Sequence, residues 1–150
     1  RFCILGASAT LQPEVTGDYG VVVDRAVRDE GTSHHYVEPA RHATADPGLV
    51  AALEDALAVH DRPTRTGTTW TTDAFFRETV PEVEHYADEG VLAVDMEAAT
   101  LFAIAQYRDL DAGALFAPFD CLTADDWQAR VEGREDRLES LVPVVRDALA

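Results

Sequence analysis

Short apolar runs alternate along this chain with longer segments of helical period, and no other feature restricts its fold as tightly. A strand buried on both faces reads as a continuous apolar run, whereas a helix lying on a sheet repeats apolar residues three and four apart. Runs of the first kind are Phe2–Leu5, Gly20–Val27, Thr66–Thr71, Val91–Val94 and Ala112–Phe119. Between them, Asp46-Pro47 reads as an N-cap with proline in the first turn, followed by Leu49, Leu53, Ala56 and Leu57 on one stripe. A second helix is expected over Val80–Asp88, and a third after Glu97 carries Ala98, Leu101, Phe102 and Ala105 on one face. The last places Leu138, Leu141, Val142, Val145 and Leu149 together, with Pro143 either bending it or displacing its start. The alternation predicts an α/β domain whose sheet is covered on both faces.

At 150 residues and 47% apolar content the chain can bury one core, so residues 1–150 read as a single domain. It opens at Arg1 directly into "FCILG", which suggests a piece of a longer product. Its 28 acidic residues face only 12 basic ones, for a net charge of −16. That excludes nucleic acid and anionic membranes as partners. The acids are spread along the chain, as on a solvated surface adapted to high salt. Two cysteines in apolar contexts, no secretory signal and no apolar span of about 18 residues predict a reducing, cytoplasmic setting. His34, His35 and His42 match no metal-ligand spacing, so no metal is expected. The polar stretch from Arg28 to Ala45 reads as a functional loop.

Ligands of open α/β sheets bind outside the carboxyl ends of strands, and four segments fall at such ends. They are "GASATLQPE" after Leu5, "WTTDAFFRET" after Thr69, "DMEAAT" after Val94 and "DCLTADDW" after Phe119. The third carries Asp95 and Glu97 where an apolar run becomes a helix. A carboxylate there is suited to accept from the two vicinal hydroxyls of a ribose; equally, acids are favoured in the first turn of a helix by about 0.3–1 kcal/mol. Spacing alone leaves both readings open. Phe75 and Phe76 are either an aromatic face for a flat heterocycle or ordinary core, and Asp120 is either catalytic or a cap for its loop.

"VDMEAATLFAIA", "TTDAFFRET", "VRDEGTSHHYVEP" and "GASATLQPEVTGD" together resemble, in their order, the signatures of the purine nucleoside phosphorylase and uridine phosphorylase superfamily. The resemblance implies a three-layer αβα sandwich with a mixed central sheet, lacking the family's N-terminal portion. It implies a reaction in which phosphate attacks the anomeric carbon of a purine nucleoside or uridine, releasing free base and ribose 1-phosphate. Carried over residue by residue, it makes Glu97 the ribose-hydroxyl ligand, sets Met96 and Asp95 against the sugar and Phe75 or Phe76 against the base. Asp120 becomes the proton donor to the departing base, and Gly6, Ser8 and Arg28 become phosphate ligands. The implied partners are nucleoside and inorganic phosphate in a homo-oligomer, with no cofactor.

The resemblance breaks at the first turn. The family's arginine before the glycine is here Ile4, and the serine or threonine after it is Ala7; Ser8 is the hydroxyl available to substitute. The later small residue of the turn, normally glycine, is Ala9. These changes leave a hydrolytic nucleosidase of the same fold, or a nucleoside-binding relative without turnover, as alternatives.

Overall fold

Period-two alternation in two long strands sets the layers. On β2 (Gly20–Asp29) and β6 (Ala112–Leu122), Val22, Leu115, Ala117 and Phe119 face one side, packing with Leu49, Leu53 and Leu57 of α1 (Pro47–Val59) and Leu141 and Val144 of α4 (Arg134–Leu149). Val21, Val23, Ala114 and Phe116 face the other, against Ala99, Phe102 and Ala103 of α3 (Ala98–Arg108). The result is a helix–sheet–helix arrangement, as the sequence predicts. The computed structural model describes residues 1–128 and 132–150.

The described residues form a seven-stranded mixed sheet in the order β3-β2-β4-β5-β1-β6-β7. The remaining strands are β1 (Phe2–Thr10), β3 (His42–Thr44), β4 (Thr64–Thr72), β5 (Ala93–Asp95) and β7 (Trp127–Gln128), and α2 spans Val80–Asp88. β2, β4 and β5 run parallel to one another, as do β1 and β6. The sheet curls until β2 meets β6 in an antiparallel pairing at Val21–Phe116 and Val22–Leu115. Gly20 lets α1 lie close at this seam, since a Cβ there would come within 2.8 Å of Leu57.

Local chemistry places the helices as expected. The Asp46 side chain accepts from the backbone N–H of Leu49 at 2.7 Å, and Pro47 follows as the first helical residue. At the start of α2 the Glu82 carboxylate accepts from the backbone N–H of Thr79 at 3.0 Å and from its hydroxyl at 2.6 Å. On α4, Leu141 and Val144 are buried but Val142, expected on the same face, points outward, because it follows Leu141 by only about 100° around the helix. Pro143 lies within that helix and does not displace its start.

β1 departs most from expectation. Gly6–Ala9, expected as a turn, continue the strand, because each residue pairs with β6 from Phe2–Ala112 onward. Phe2–Leu5, expected to be buried, are exposed or half-buried. The reason is topological: among the described residues β1 has β6 along one edge, whereas β5 touches its other edge only at Ala9 and Thr10.

Candidate active site

A cleft of about 620 Å³ opens where the carboxyl ends of β1, β5 and β6 meet, within the size range of small-molecule sites. The convergence does not come from strands of one direction alone. β1 and β5 are antiparallel, and their carboxyl ends coincide because the short β5 pairs only with the last two residues of β1. A β-bulge then adds an extra residue, Phe119, to β6 opposite the Ser8–Ala9 step. Bulges re-aim side chains, and Asp120, the next residue, lines the cleft.

The two acids of "DMEAAT" divide the two readings between them. Asp95 is buried, and both its oxygens are committed to protein donors. Oδ1 accepts from the hydroxyls of Thr69 at 3.0 Å and Thr71 at 2.7 Å, while Oδ2 accepts from the backbone N–H of Glu97 at 2.9 Å and Ala98 at 2.6 Å. Asp95 therefore fastens the start of α3 to β4 while it lines the cleft in which its nucleoside contact is expected. Burial raises its pKa above the usual carboxylate range, against the pull of those four hydrogen bonds. Glu97 precedes the first residue of α3, yet its carboxylate caps nothing and has no hydrogen-bond partner among the described residues. It is exposed on the cleft wall beside Met96.

The opposite rim is aromatic. Phe75 and Phe76 sit on a short 3₁₀ turn after β4, with ring centroids 5.2 Å apart and edge-to-face. Phe75 meets Trp127 of β7 in the same manner at 6.1 Å. Neither phenylalanine is core: Phe75 is 45% exposed and Phe76 95%. Between rim and floor lies Glu78, whose carboxyl is raised by burial and has no hydrogen-bond partner among the described residues.

Asp120 stands beside Arg134, the first residue of α4, with Nη2 to Oδ1 at 3.8 Å. Ser8 lines the same cleft, and its buried hydroxyl has no partner. The structure thus brings together Ser8, Phe75, Phe76, Asp95, Met96, Glu97 and Asp120. It does not bring Gly6 or Arg28. Gly6 is inside β1, facing the Phe116 ring, and not in a turn. Arg28 is buried in a separate hollow, where its guanidinium donates to Ser33 Oγ at 2.8 Å and to the carbonyls of Glu38 and Ala40. The polar stretch from Arg28 to Ala45 is largely held by that residue and does not line the cleft. Sequence reasoning passes over Glu78, Trp127 and Arg134. An acid two residues beyond the pair of aromatics was the available signal for Glu78; nothing local marks the other two.

The family model described as the phosphorylase superfamily matches residues 2–146. The chain belongs to that superfamily. Similar proteins include a guanosine phosphorylase of Halorubrum lacusprofundi, 33% identical over 76% of this chain and 47% of the relative. A DeoD-type purine nucleoside phosphorylase of Dichelobacter nodosus is 28% identical over 71% of this chain and 44% of its own length. A uridine phosphorylase of Haemophilus influenzae is 24% identical over 99% of this chain and 65% of its own. The chain thus spans about half the length of the first two relatives. Among the described residues of this superfamily member, no helix is long and apolar enough to cross a membrane.

Proposed function

We propose that this chain carries the nucleoside site of a nucleoside phosphorylase acting on a guanine nucleoside. The observation that carries the reading is Glu97: a carboxylate at the mouth of α3, uncommitted to any described residue and facing an aromatic rim across a nucleoside-sized cleft. It accepts from the 2′- and 3′-hydroxyls, with Met96 under the sugar and Phe75 against the base. A phosphate oxygen forms a bond to C1′ as the C1′–N bond breaks and its electron pair passes to the base. Asp120 supplies a proton to the base nitrogen and regains one from the phosphate. Charge develops on the sugar as an oxocarbenium ion, which the carboxylates of the cleft stabilise.

Glu78 favours guanine among the bases. A carboxylate accepts from two adjacent donors, which guanine presents as N1–H and N2–H, whereas uracil offers one N–H flanked by two carbonyl oxygens that a carboxylate repels. The guanosine phosphorylase among the relatives is consistent with this. Ile4 and Ala7 favour a second reading, in which water replaces phosphate.

The test assays guanosine, inosine and uridine with and without phosphate. Ribose 1-phosphate from guanosine is expected, and Glu78→Gln should lower kcat/KM for guanosine by about 10–100-fold, the value of a hydrogen bond to a charged group. Free ribose at a rate indifferent to phosphate would establish the hydrolytic reading instead. Unchanged guanosine kinetics in Glu78→Gln would remove the guanine assignment.

A further inference from the structure

The segment "VRDEGTSHHYVEP" contributes no residue to the cleft, yet it bonds to the supports of both cleft walls. β2 and β4 end together, with Asp29 opposite Thr72 in their parallel register. From there three consecutive residues each tie a different segment. Asp29 Oδ2 accepts from the indole N–H of Trp70 on β4 at 2.9 Å. Glu30 Oε2 accepts from the hydroxyl of Thr100, in the first turn of α3, at 2.8 Å and from the backbone N–H of Ser33 at 2.9 Å. The backbone N–H of Gly31 donates to Asp73 Oδ2 at 3.0 Å, two residues before Phe75.

Glu30 is the unusual member of the three. It is 7% exposed, and its Oε1 is enclosed by protein with no hydrogen-bond partner among the described residues. Burial pushes its pKa up, but hydrogen bonds from Ser33, Thr100 and Thr32 outweigh burial and hold it below the usual carboxylate range. Glu30 is therefore an anion inside the protein with one oxygen unbonded, which destabilises a fold and which native interiors rarely keep. Packing does not account for an acid at this position; the tie to Thr100 does.

We infer that Glu30 and Asp73 are positioning residues that fix the spacing between the two walls of the cleft, Glu97 on one side and the Phe75 rim on the other. Thr100 follows Glu97 within one helical turn, and the N–H of Leu101 closes that turn on the Glu97 carbonyl at 2.9 Å. Whatever holds Thr100 thus sets where the Glu97 backbone stands. Asp95 and Thr71 hold the same turn from the β4 side, and Glu30 holds it from the loop after β2. Across the cleft, Asp73 leads into the short turn that carries both phenylalanines. Two adjacent residues, Glu30 and Gly31, thereby join the two walls from behind, and neither Glu30, Asp73 nor Thr100 lines the cleft itself. The inference rests on the nucleoside reading above, in which sugar and base are gripped at once, so that a displacement of about 1 Å between the walls loosens both contacts.

Titration of the full chain with guanosine, paired with steady-state kinetics, tests the tie. Thr100→Val keeps the size of the side chain but removes the hydroxyl, and should raise the Kd and KM for guanosine about 5–10-fold, the value of one hydrogen bond. Thr100→Ser, which keeps the hydroxyl, should restore them. The Tm of Thr100→Val should stay within about 2 °C of the unmodified protein. Because the substitution acts through Glu97, it should add nothing to the loss already present in Glu97→Gln. Asp73→Ala should raise the Kd about 3-fold, its bond lying in the open, and should add nothing to Phe75→Ala. Amide hydrogen exchange over residues 97–101 should quicken in Thr100→Val whether or not a nucleoside is present. A fall in Tm with guanosine affinity unchanged would reduce Glu30 to a structural role and overturn the inference, as would losses that simply add in the double variants. Quickened exchange in Thr100→Val, in a protein that binds no nucleoside, would uphold the tie to Glu97 and overturn the nucleoside reading. Guanosine binding that is lost in Glu97→Gln but indifferent to Thr100→Val would do the reverse.

Discussion

Asp95 and Glu97 lie two residues apart and should respond to substitution in opposite ways. Removing the Asp95 carboxylate in Asp95→Ala leaves three donors without their acceptor: the Thr71 hydroxyl and the backbone N–H groups of Glu97 and Ala98. Thr69 is excused, since its hydroxyl also reaches the Ala93 carbonyl at 3.1 Å. Each orphaned buried donor costs about 1–3 kcal/mol, which sums to roughly 3–9 kcal/mol before any relief. Two effects reduce it: water enters from the adjoining cleft, and the cost of burying a carboxylate disappears. The expected net loss is about 3 kcal/mol, or roughly 6–12 °C in Tm for a domain of this size. Glu97→Gln removes a charge that no described residue uses, so stability should stay within about 0.5 kcal/mol. Nucleoside binding should instead weaken by about 1.5–3 kcal/mol, the value of hydrogen bonds to a charged acceptor. Urea unfolding followed by Trp fluorescence, paired with nucleoside titration, reads both quantities on each variant. A Glu97→Gln protein that unfolds more than 1 kcal/mol earlier, or that binds nucleoside normally, would refute the division of labour.

Two further outcomes follow from the packing and the charges. Because burial raises the folded pKa of Asp95 above its unfolded value, its contribution to stability is full below about pH 4 and is lost as pH rises through the folded pKa. The stability of the unmodified protein relative to Asp95→Asn should therefore decline from pH 4 upward, and denaturant midpoints that diverge the other way would contradict the sign. Gly20→Ala would set a methyl within 2.8–3.2 Å of Leu57 and Leu115 at the seam between β2 and β6, and should cost about 1–3 kcal/mol in thermal unfolding. An unchanged Tm would show that Leu57 yields freely.

The helices were legible because their signals are local. Asp46-Pro47 caps α1 and Leu49, Leu53 and Leu57 point inward, all within one short segment. The strands were legible as apolar runs but not in extent: β1 runs four residues past Gly6, and small residues that read as a turn are what a crowded strand crossing accepts. The lining of the candidate cleft was legible where a motif carried it, in Glu97, Met96 and Phe75. It was not legible where the answer depends on register. That Asp95 would be fully engaged follows from Thr69 and Thr71 arriving on a neighbouring strand, and that Arg28 would turn into its own loop follows from carbonyls ten and twelve residues ahead. Arg134 is 14 positions from Asp120 and reaches it only because α4 folds back beside β6, which no periodicity announces.

The outward edge of β1 bears on how the molecule behaves in concentrated solution. From Phe2 to Ser8 this edge has no strand beside it among the described residues, and Phe2 is 52% exposed. An open edge of extended, apolar backbone is a template for another strand, and proteins commonly guard such edges with charge or a bulge. Here the bulge comes only at Ser8–Ala9, past the open stretch, so long-range repulsion between copies carrying −16 each is the main guard. That repulsion reaches about 10 Å at 0.1 M salt but only about 3 Å at 1 M. Ionic strength thus acts on this chain as a colloidal control, keeping the edge of β1 apart from its neighbours in dilute salt and letting strands meet in brine.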